Sequence, residues 1–245
     1  MRGPARHDVL VAHQPAYLPW PGYFSRLLDV DRLVLLDHVP YSERGWQNRN
    51  FVTGPLGERI RLTVPVTRVF GEPLAKALVA DDRWRGRHWR TLREAYGRAA
   101  HWPGLEQRLL PIYEHPWTHL ADLNQALLAV MLDAFGLEVR LERSSEIAPD
   151  GAKTAMLADL CRRTGTNVLR VGTGAADYLD TAWLTERGIG VEVATYHPPA
   201  AMRPSTGAAA SALDLLAHHG PGALRLLEAG GRLHPQAPTI EETNA

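Results

Sequence analysis

Residues 9–50, VLVAHQPAYLPWPGYFSRLLDVDRLVLLDHVPYSERGWQNRN, constrain the fold more than any other stretch of the chain. Residues 8–12 and 32–36 are short apolar runs rich in valine and leucine, the pattern of buried strands. Pro15 ends the first run, and Pro19 and Pro21 keep the following backbone extended or turned. Pro21 also suits a first helical turn, where its missing N–H is not needed. Tyr23, Phe24, Leu27 and Leu28 then fall on one helical face. Strand, turn, helix and strand within about 30 residues is the size of a βαβ unit. Such a unit brings both strand ends to one edge of the sheet, where open α/β sheets bind ligands. His13 and Gln14 leave the first strand and Asp37 leaves the second, so these three are expected there together.

Farther along, residues 59–66 alternate arginine with leucine and valine and read as a half-buried strand, hairpin-paired with the segment from residue 51. Helices are expected at 84–99, 105–113 and 117–136; in the last, Leu120, Leu123, Leu127, Met131 and Phe135 form a stripe that Gly136 stops. Strands at 138–142, 167–171 and 190–194 alternate with helices ending near Thr164 and spanning 181–187, a parallel α/β pattern. Terminal helices are expected at 210–216 and 222–229. The expectation is one α/β domain over residues 1–232, with a mainly parallel sheet, a helical insertion around residues 84–136, and a flexible tail at 233–245.

Composition narrows the function classes. With 27 basic and 27 acidic residues in 245, no net charge points to a general nucleic-acid or membrane-surface binder. Among the basic residues only Lys76 and Lys153 are lysines, which singles them out. Cys161 is the one cysteine, so no intrachain disulfide or multi-cysteine metal site is expected, and its apolar helical neighbours suggest a buried thiol. There is no apolar run of about 18 residues to span a membrane, and the basic N-terminus lacks a secretory apolar region. A cytoplasmic protein is the expectation.

Four clusters carry candidate chemistry. His13 has the near-neutral pKa of a general base, although a loop histidine held by local hydrogen bonds is the plainer reading. Tyr17, Trp20 and Tyr23, set among prolines, could wall a flat ring or a sugar, or could plug the space between sheet and helix. Trp46, Gln47, Asn48, Arg49 and Asn50 concentrate groups that read carboxylates, phosphates and sugar hydroxyls, or that cap a polar turn. Lys153 and Thr154 at a helix start, and Gly172, Thr173 and Gly174 after a strand, could hold an anion, with Tyr178 nearby; helix capping and a tight turn are the bland alternatives. No Walker A spacing, nucleophile elbow or metal-ligand set is present.

The blocks HQPAYLPWPGYF, LLDHVPYSERGWQNRN, LTVPV, LADLN, RSSE with GAKT, and VGTGAADYLD resemble the WbqC-like family in order and spacing, from about Val9 to Gly220. Family positions fall on His13, Gln14, Tyr17, Trp20, Tyr23, Asp37, residues 46–50, Lys153, Thr154, Gly172, Gly174 and Tyr178. The resemblance implies a bacterial biosynthetic transferase acting in O-antigen, other surface-polysaccharide or natural-product pathways. It would form an amide by transfer of an activated acyl or aminoacyl group, glycyl included, to an amine such as an amino sugar. His13 would act as base with Asp37 assisting, residues 46–50 and the aromatics would bind substrate, and Lys153, Thr154, Gly172, Thr173 and Gly174 would hold an anionic donor. The donor would be a carrier-protein thioester, an aminoacyl-tRNA or an adenylate, with no cofactor required. The chain departs from the family pattern within residues 196–219, which bears on substrate choice. Two alternatives stand beside this reading: an ATP-using adenylyl- or nucleotidyl-transferring enzyme, by analogy with folds that open on a strand, a histidine loop and a helix, and a non-catalytic pathway scaffold.

Overall fold

The computed structural model describes residues 8–42, 45–67, 71–176, 178–199 and 210–235. In chain order these form β1 (Val9–His13), α1 (Pro21–Ser25), β2 (Arg32–Leu35), β3 (Arg49–Thr53), β4 (Arg59–Thr63), β5 (Val66–Thr67) and β6 (Leu78–Val79). Three long helices follow, α2 (Arg83–Tyr96), α3 (Trp102–Glu114) and α4 (Leu120–Phe135). The chain continues through β7 (Arg140–Arg143), α5 (Ser144–Ile147), α6 (Lys153–Thr164), β8 (Val168–Gly172), α7 (Thr173–Ala176), α8 (Thr181–Glu186) and β9 (Gly190–Tyr196). It closes on α9 (Leu213–His219), α10 (Ala223–Gly230) and β10 (Gly231–Pro235).

Six strands form one sheet in the order β10-β9-β8-β1-β2-β7, parallel throughout except for β10. The expected α/β fold with a mainly parallel sheet and a helical insertion is therefore the fold of the chain. Strand alternation divides the core. Val9, Val11, Leu33 and Leu35 pack on one face with α1, α4, α9 and α10, while Leu10, Val34, Leu169 and Val171 pack on the other with α6 and α8. The helical insertion contributes Trp84, Leu92, Tyr96, Leu109, Leu123, Leu127 and Met131 to the first of these layers.

Several boundaries differ from the sequence expectation for local physical reasons. The expected strand at 59–66 is broken after Thr63, because Val64 turns its N–H to the Asn48 carbonyl (2.8 Å) and Pro65 has none to give. The expected 105–113 helix starts earlier, since Pro103 is tolerated in the first turn, and it runs through Pro111. Residues 210–212 are not helical: Ser211 and Ala212 donate to the Phe51 and Pro19 carbonyls (both 2.8 Å), and the helix begins at Leu213. The expected tail boundary at residue 233 is too early, because the strand paired antiparallel to β9 continues to Pro235; the rest of that tail lies outside the described residues.

The topology places a crevice. From β1 the chain steps to β2 on one side and later reaches β7 beyond it; β8 lies on the opposite side of β1, with β9 beyond that. Strand order thus reverses between β1 and β8, and the gap outside their carboxyl ends is the topological switch point. His13 ends β1 and Gly172 ends β8.

Candidate functional site

A cleft of about 420 Å³ opens at that switch point, within the size range of small-molecule sites. His13, Gln14, Trp20, Arg26, Lys153 and Tyr178 line it with polar or aromatic side chains, and Gly172, Thr173 and Gly174 supply backbone. Leu36, Met156, Leu157 and Val171 form its apolar floor.

The His13 ring is fixed on several sides. Its Nδ1 lies 2.8 Å from the Gln14 carbonyl, an acceptor, so Nδ1 carries the proton and Nε2 keeps a lone pair. Tyr23 and Trp20 meet the ring edge-on at centroid distances of 4.8 and 5.8 Å. Burial, and then the Arg26 charge, lower its pKa from 6.5 to about 4, so the imidazole is neutral at pH 7. Gln14 is oriented from behind. Its Oε1 accepts from Gln47 Nε2 at 2.6 Å, leaving its own amide N–H groups as donors. Gln47 is buried and doubly anchored, accepting from Ser42 N–H (3.1 Å) at Oε1 and from Asn124 Nδ2 (2.7 Å) at its carbonyl.

Arg26, which sequence reasoning passed over, is the notable addition. It follows α1, and its carbonyl accepts from Arg170 Nη1 at 3.2 Å. Arg170 also donates to the Leu28 carbonyl and pairs with Glu192 at 2.7 Å, tying the end of α1 to β8. The Arg26 guanidinium lies across the end of β8: a Cβ at residue 172 would come within 2.3 Å of Nη2. Gly172 thus leaves room for the guanidinium in this position, and a larger residue would require the Arg26 side chain to move. Arg26 Nε is buried without a hydrogen-bond partner among the described residues, and burial pulls the guanidinium pKa down. The signal in the sequence was Gly172 at a strand end; nothing in the sequence pointed to which side chain it admits.

Other expected site residues are placed elsewhere. Asp37 is fully buried, and its carboxylate accepts from Ser144 Oγ (3.1 Å), Ser145 N–H (2.8 Å) and Ser145 Oγ (2.8 Å). It fastens the start of α5 to β2 and does not line the cleft. His38 Nδ1 lies 2.6 Å from Ser144 Oγ, which puts a serine, a histidine and an aspartate in contact. The carboxylate holds the serines and not the imidazole, and Ser144 is fully buried, so the group lacks the order of a nucleophilic triad.

Tyr17 is a core residue: its hydroxyl meets His88 Nδ1 and the Tyr113 hydroxyl, each at 2.8 Å, and the ring is fully buried. Tyr23 is also buried and reaches the cleft only through His13. Asn50 donates to the Leu18 (2.6 Å) and Tyr17 (3.3 Å) carbonyls, pinning the loop in which Leu18 adopts φ +45°. Asn48 donates to the Val64 carbonyl (2.8 Å), and Arg49 Nε to the Gly45 carbonyl (3.3 Å). Trp46 is exposed and packs against Phe51. None of residues 46–50 lines the cleft, and only Gln47 connects to it, through Gln14. Thr154 is likewise spent, its Oγ1 accepting from Asp180 N–H at 3.2 Å. Lys153, Gly172, Thr173, Gly174, Trp20 and Tyr178 do come together there with His13 and Gln14.

Cys161 is fully buried, and that burial raises its thiol pKa to about 11, so it is no nucleophile. Among the described residues no cluster of three metal-ligating side chains occurs, and no helix is long and apolar enough to cross a membrane. The chain is 33% identical over 180 residues to "Uncharacterized protein Rv1507c" of Mycobacterium tuberculosis, covering 73% of this chain and 78% of that one. The profile of the WbqC-like protein family matches residues 14–226, which include most of the cleft lining but not His13 or the rest of β1. On that match the chain belongs to the WbqC-like family.

Proposed function

We propose that the chain is a biosynthetic transferase that forms an amide, passing an activated acyl or aminoacyl group, glycyl among them, to an amine such as that of an amino sugar. The pathway would build a surface polysaccharide or a natural product. One observation carries the reading: a neutral histidine of fixed tautomer lines the switch-point cleft, with its Nε2 lone pair free to take a proton.

The chemistry suits that group. When an amine attacks an activated carbonyl, a C–N bond forms and the nitrogen becomes cationic, so its proton is far more acidic than that of a free ammonium. A weak base is then sufficient, and an imidazole with pKa about 4 never starts protonated at neutral pH. Collapse of the adduct breaks the bond to the leaving group, which departs with its electron pair and takes the proton from Nε2. Gln14, with its acceptor side occupied by Gln47, offers N–H donors to the oxyanion or the acceptor. Lys153 and the turn of Gly172, Thr173 and Gly174 would hold the anionic part of the donor, and Trp20 and Tyr178 would flank its flat portion. No covalent enzyme intermediate is required.

Incubation with carrier-protein thioesters, aminoacyl-tRNA or aminoacyl adenylates and an amino-sugar acceptor, read by mass spectrometry, tests the reading. Amide product that falls at least about hundredfold in His13→Gln is the expected result. Product formed equally well by His13→Gln removes the base assignment. The two cations in the cleft favour a second reading, adenylyl transfer from ATP, which predicts pyrophosphate release instead.

A further inference from the structure

Among the described residues that line it, the cleft holds two cationic side chains, Arg26 and Lys153, and no carboxylate. Lys153 projects from the first residue of α6 with φ +50°, a conformation side chains rarely take. Arg26 is stranger. A largely buried guanidinium is ordinarily matched by a carboxylate, because an unpaired buried charge is costly. No described carboxylate pairs with this one, its Nε is orphaned, and the strand end beneath it is a glycine that leaves room for it. Arg170 anchors the backbone from which it projects, by donating to the carbonyl of Arg26. The guanidinium thus borders the cleft, and among the described residues no carboxylate pairs with it.

We infer that Arg26 and Lys153 form the phosphate-binding subsite of the cleft, and that its ligand is a nucleotide-type molecule carrying a phosphate or diphosphate. The inference rests on reading this cleft as the active site. A planar fork and a separate point charge match a group with two or more negative charges spread over several oxygens, which a carboxylate is not. The turn of Gly172, Thr173 and Gly174 adds backbone to the same wall, and Trp20 and Tyr178 border the cavity where a base or sugar ring would lie. His13 is neutral and adds no charge, so it stays available to the reacting group. Arg26 thereby selects a phosphorylated donor over a free acyl acid.

Calorimetric titration of the full chain with inorganic pyrophosphate, uridine diphosphate, adenosine diphosphate and acetate tests this. The diphosphates should bind and acetate should not, and binding of a nucleoside diphosphate should exceed that of pyrophosphate because of the ring. Arg26→Gln should weaken diphosphate binding by about tenfold to hundredfold, the loss expected for charge-assisted hydrogen bonds, while leaving the melting temperature unchanged or higher. Arg26→Lys should fall between, which keeps the test valid if the glutamine variant folds poorly. Lys76→Gln, at an exposed lysine paired with Glu72, should bind as the wild type does. Wild-type affinity in Arg26→Gln, acetate binding as tightly as diphosphate, or no diphosphate binding by the wild type would each overturn the subsite. Diphosphate binding that depends on Arg26, without any amide product, would reject the transferase reading and leave the subsite standing. Amide formation without diphosphate binding would do the reverse.

Discussion

Asp37→Asn distinguishes a structural carboxylate from a catalytic one at the strand end beside His13. The substitution keeps size and shape but removes the charge that three donors share: Ser144 Oγ, Ser145 N–H and Ser145 Oγ. A hydrogen bond to a charged group contributes about 1 kcal/mol more than a neutral one. Ser145 is exposed and recovers part of its loss from water, so the net destabilisation should be about 2 kcal/mol, a fall of about 4–8 °C in melting temperature for a chain of this size. Asp37→Ala leaves the buried Ser144 hydroxyl without this acceptor and should lose about 3–4 kcal/mol. Urea unfolding followed by tryptophan fluorescence measures both, with turnover or ligand binding recorded well below the transition. The expected pattern is lowered stability with near-native affinity and rate in the folded fraction. A variant with native stability and a rate lowered by about a thousandfold would refute the structural assignment and return Asp37 to the mechanism.

Acid should destabilise the fold through His88, whose Nε2 accepts from Thr63 N–H (3.2 Å) and whose pKa is lowered to about 4, first by burial and then by Arg87. The unfolded chain binds more protons between about pH 4 and 6.5, so this contribution is complete above pH 6.5 and is lost as pH falls towards 4, by up to about 3 kcal/mol. Urea midpoints at pH 7 and 4.5 should show a shallower pH slope in His88→Asn; an unchanged slope contradicts the assignment. Gln14→Ala and Gln47→Ala should couple by about 1 kcal/mol in a double-mutant cycle of stability, and Gln47→Ala should weaken ligand binding from outside the cleft; additive effects would show that the 2.6 Å contact carries nothing. Tyr17→Phe removes the partner of both His88 and Tyr113, so it should lower stability by about 1–2 kcal/mol and leave ligand affinity unchanged.

What was legible in the sequence was set by local pattern. The runs that became β1, β2 and β8 are apolar because both faces of those strands are covered, and Gly136 stops α4 in the left-handed conformation (φ +72°) that glycine favours. β10 was not legible, since GRLHP has no alternating pattern and owes its conformation to pairing with β9. His13 and Gln14 could be placed at the sheet's carboxyl edge because strand ends of one parallel sheet share it, whereas Lys153 and residues 172–174 were joined to them only by the family resemblance. Residues 46–50 lie outside the cleft for a definite reason. Side-chain amides that satisfy carbonyls of a buried loop, as Asn50 does for Tyr17 and Leu18, have the same composition as amides that read a substrate. Arg26 was hidden for the opposite reason: in an arginine-rich chain it stands out only once Gly172 is known to lie beneath it.

The central claim is that chemistry takes place in the crevice outside the carboxyl ends of β1 and β8. A crystal structure of the chain grown with the amide product of the transfer assay tests it most directly. The product should lie over Gly172, with its anionic end at Arg26 and its amide nitrogen within hydrogen-bond reach of His13 Nε2. Product bound instead in the cleft between α2 and α3, where Trp89 and Trp102 stand beside the paired Arg93 and Glu106, would contradict the account.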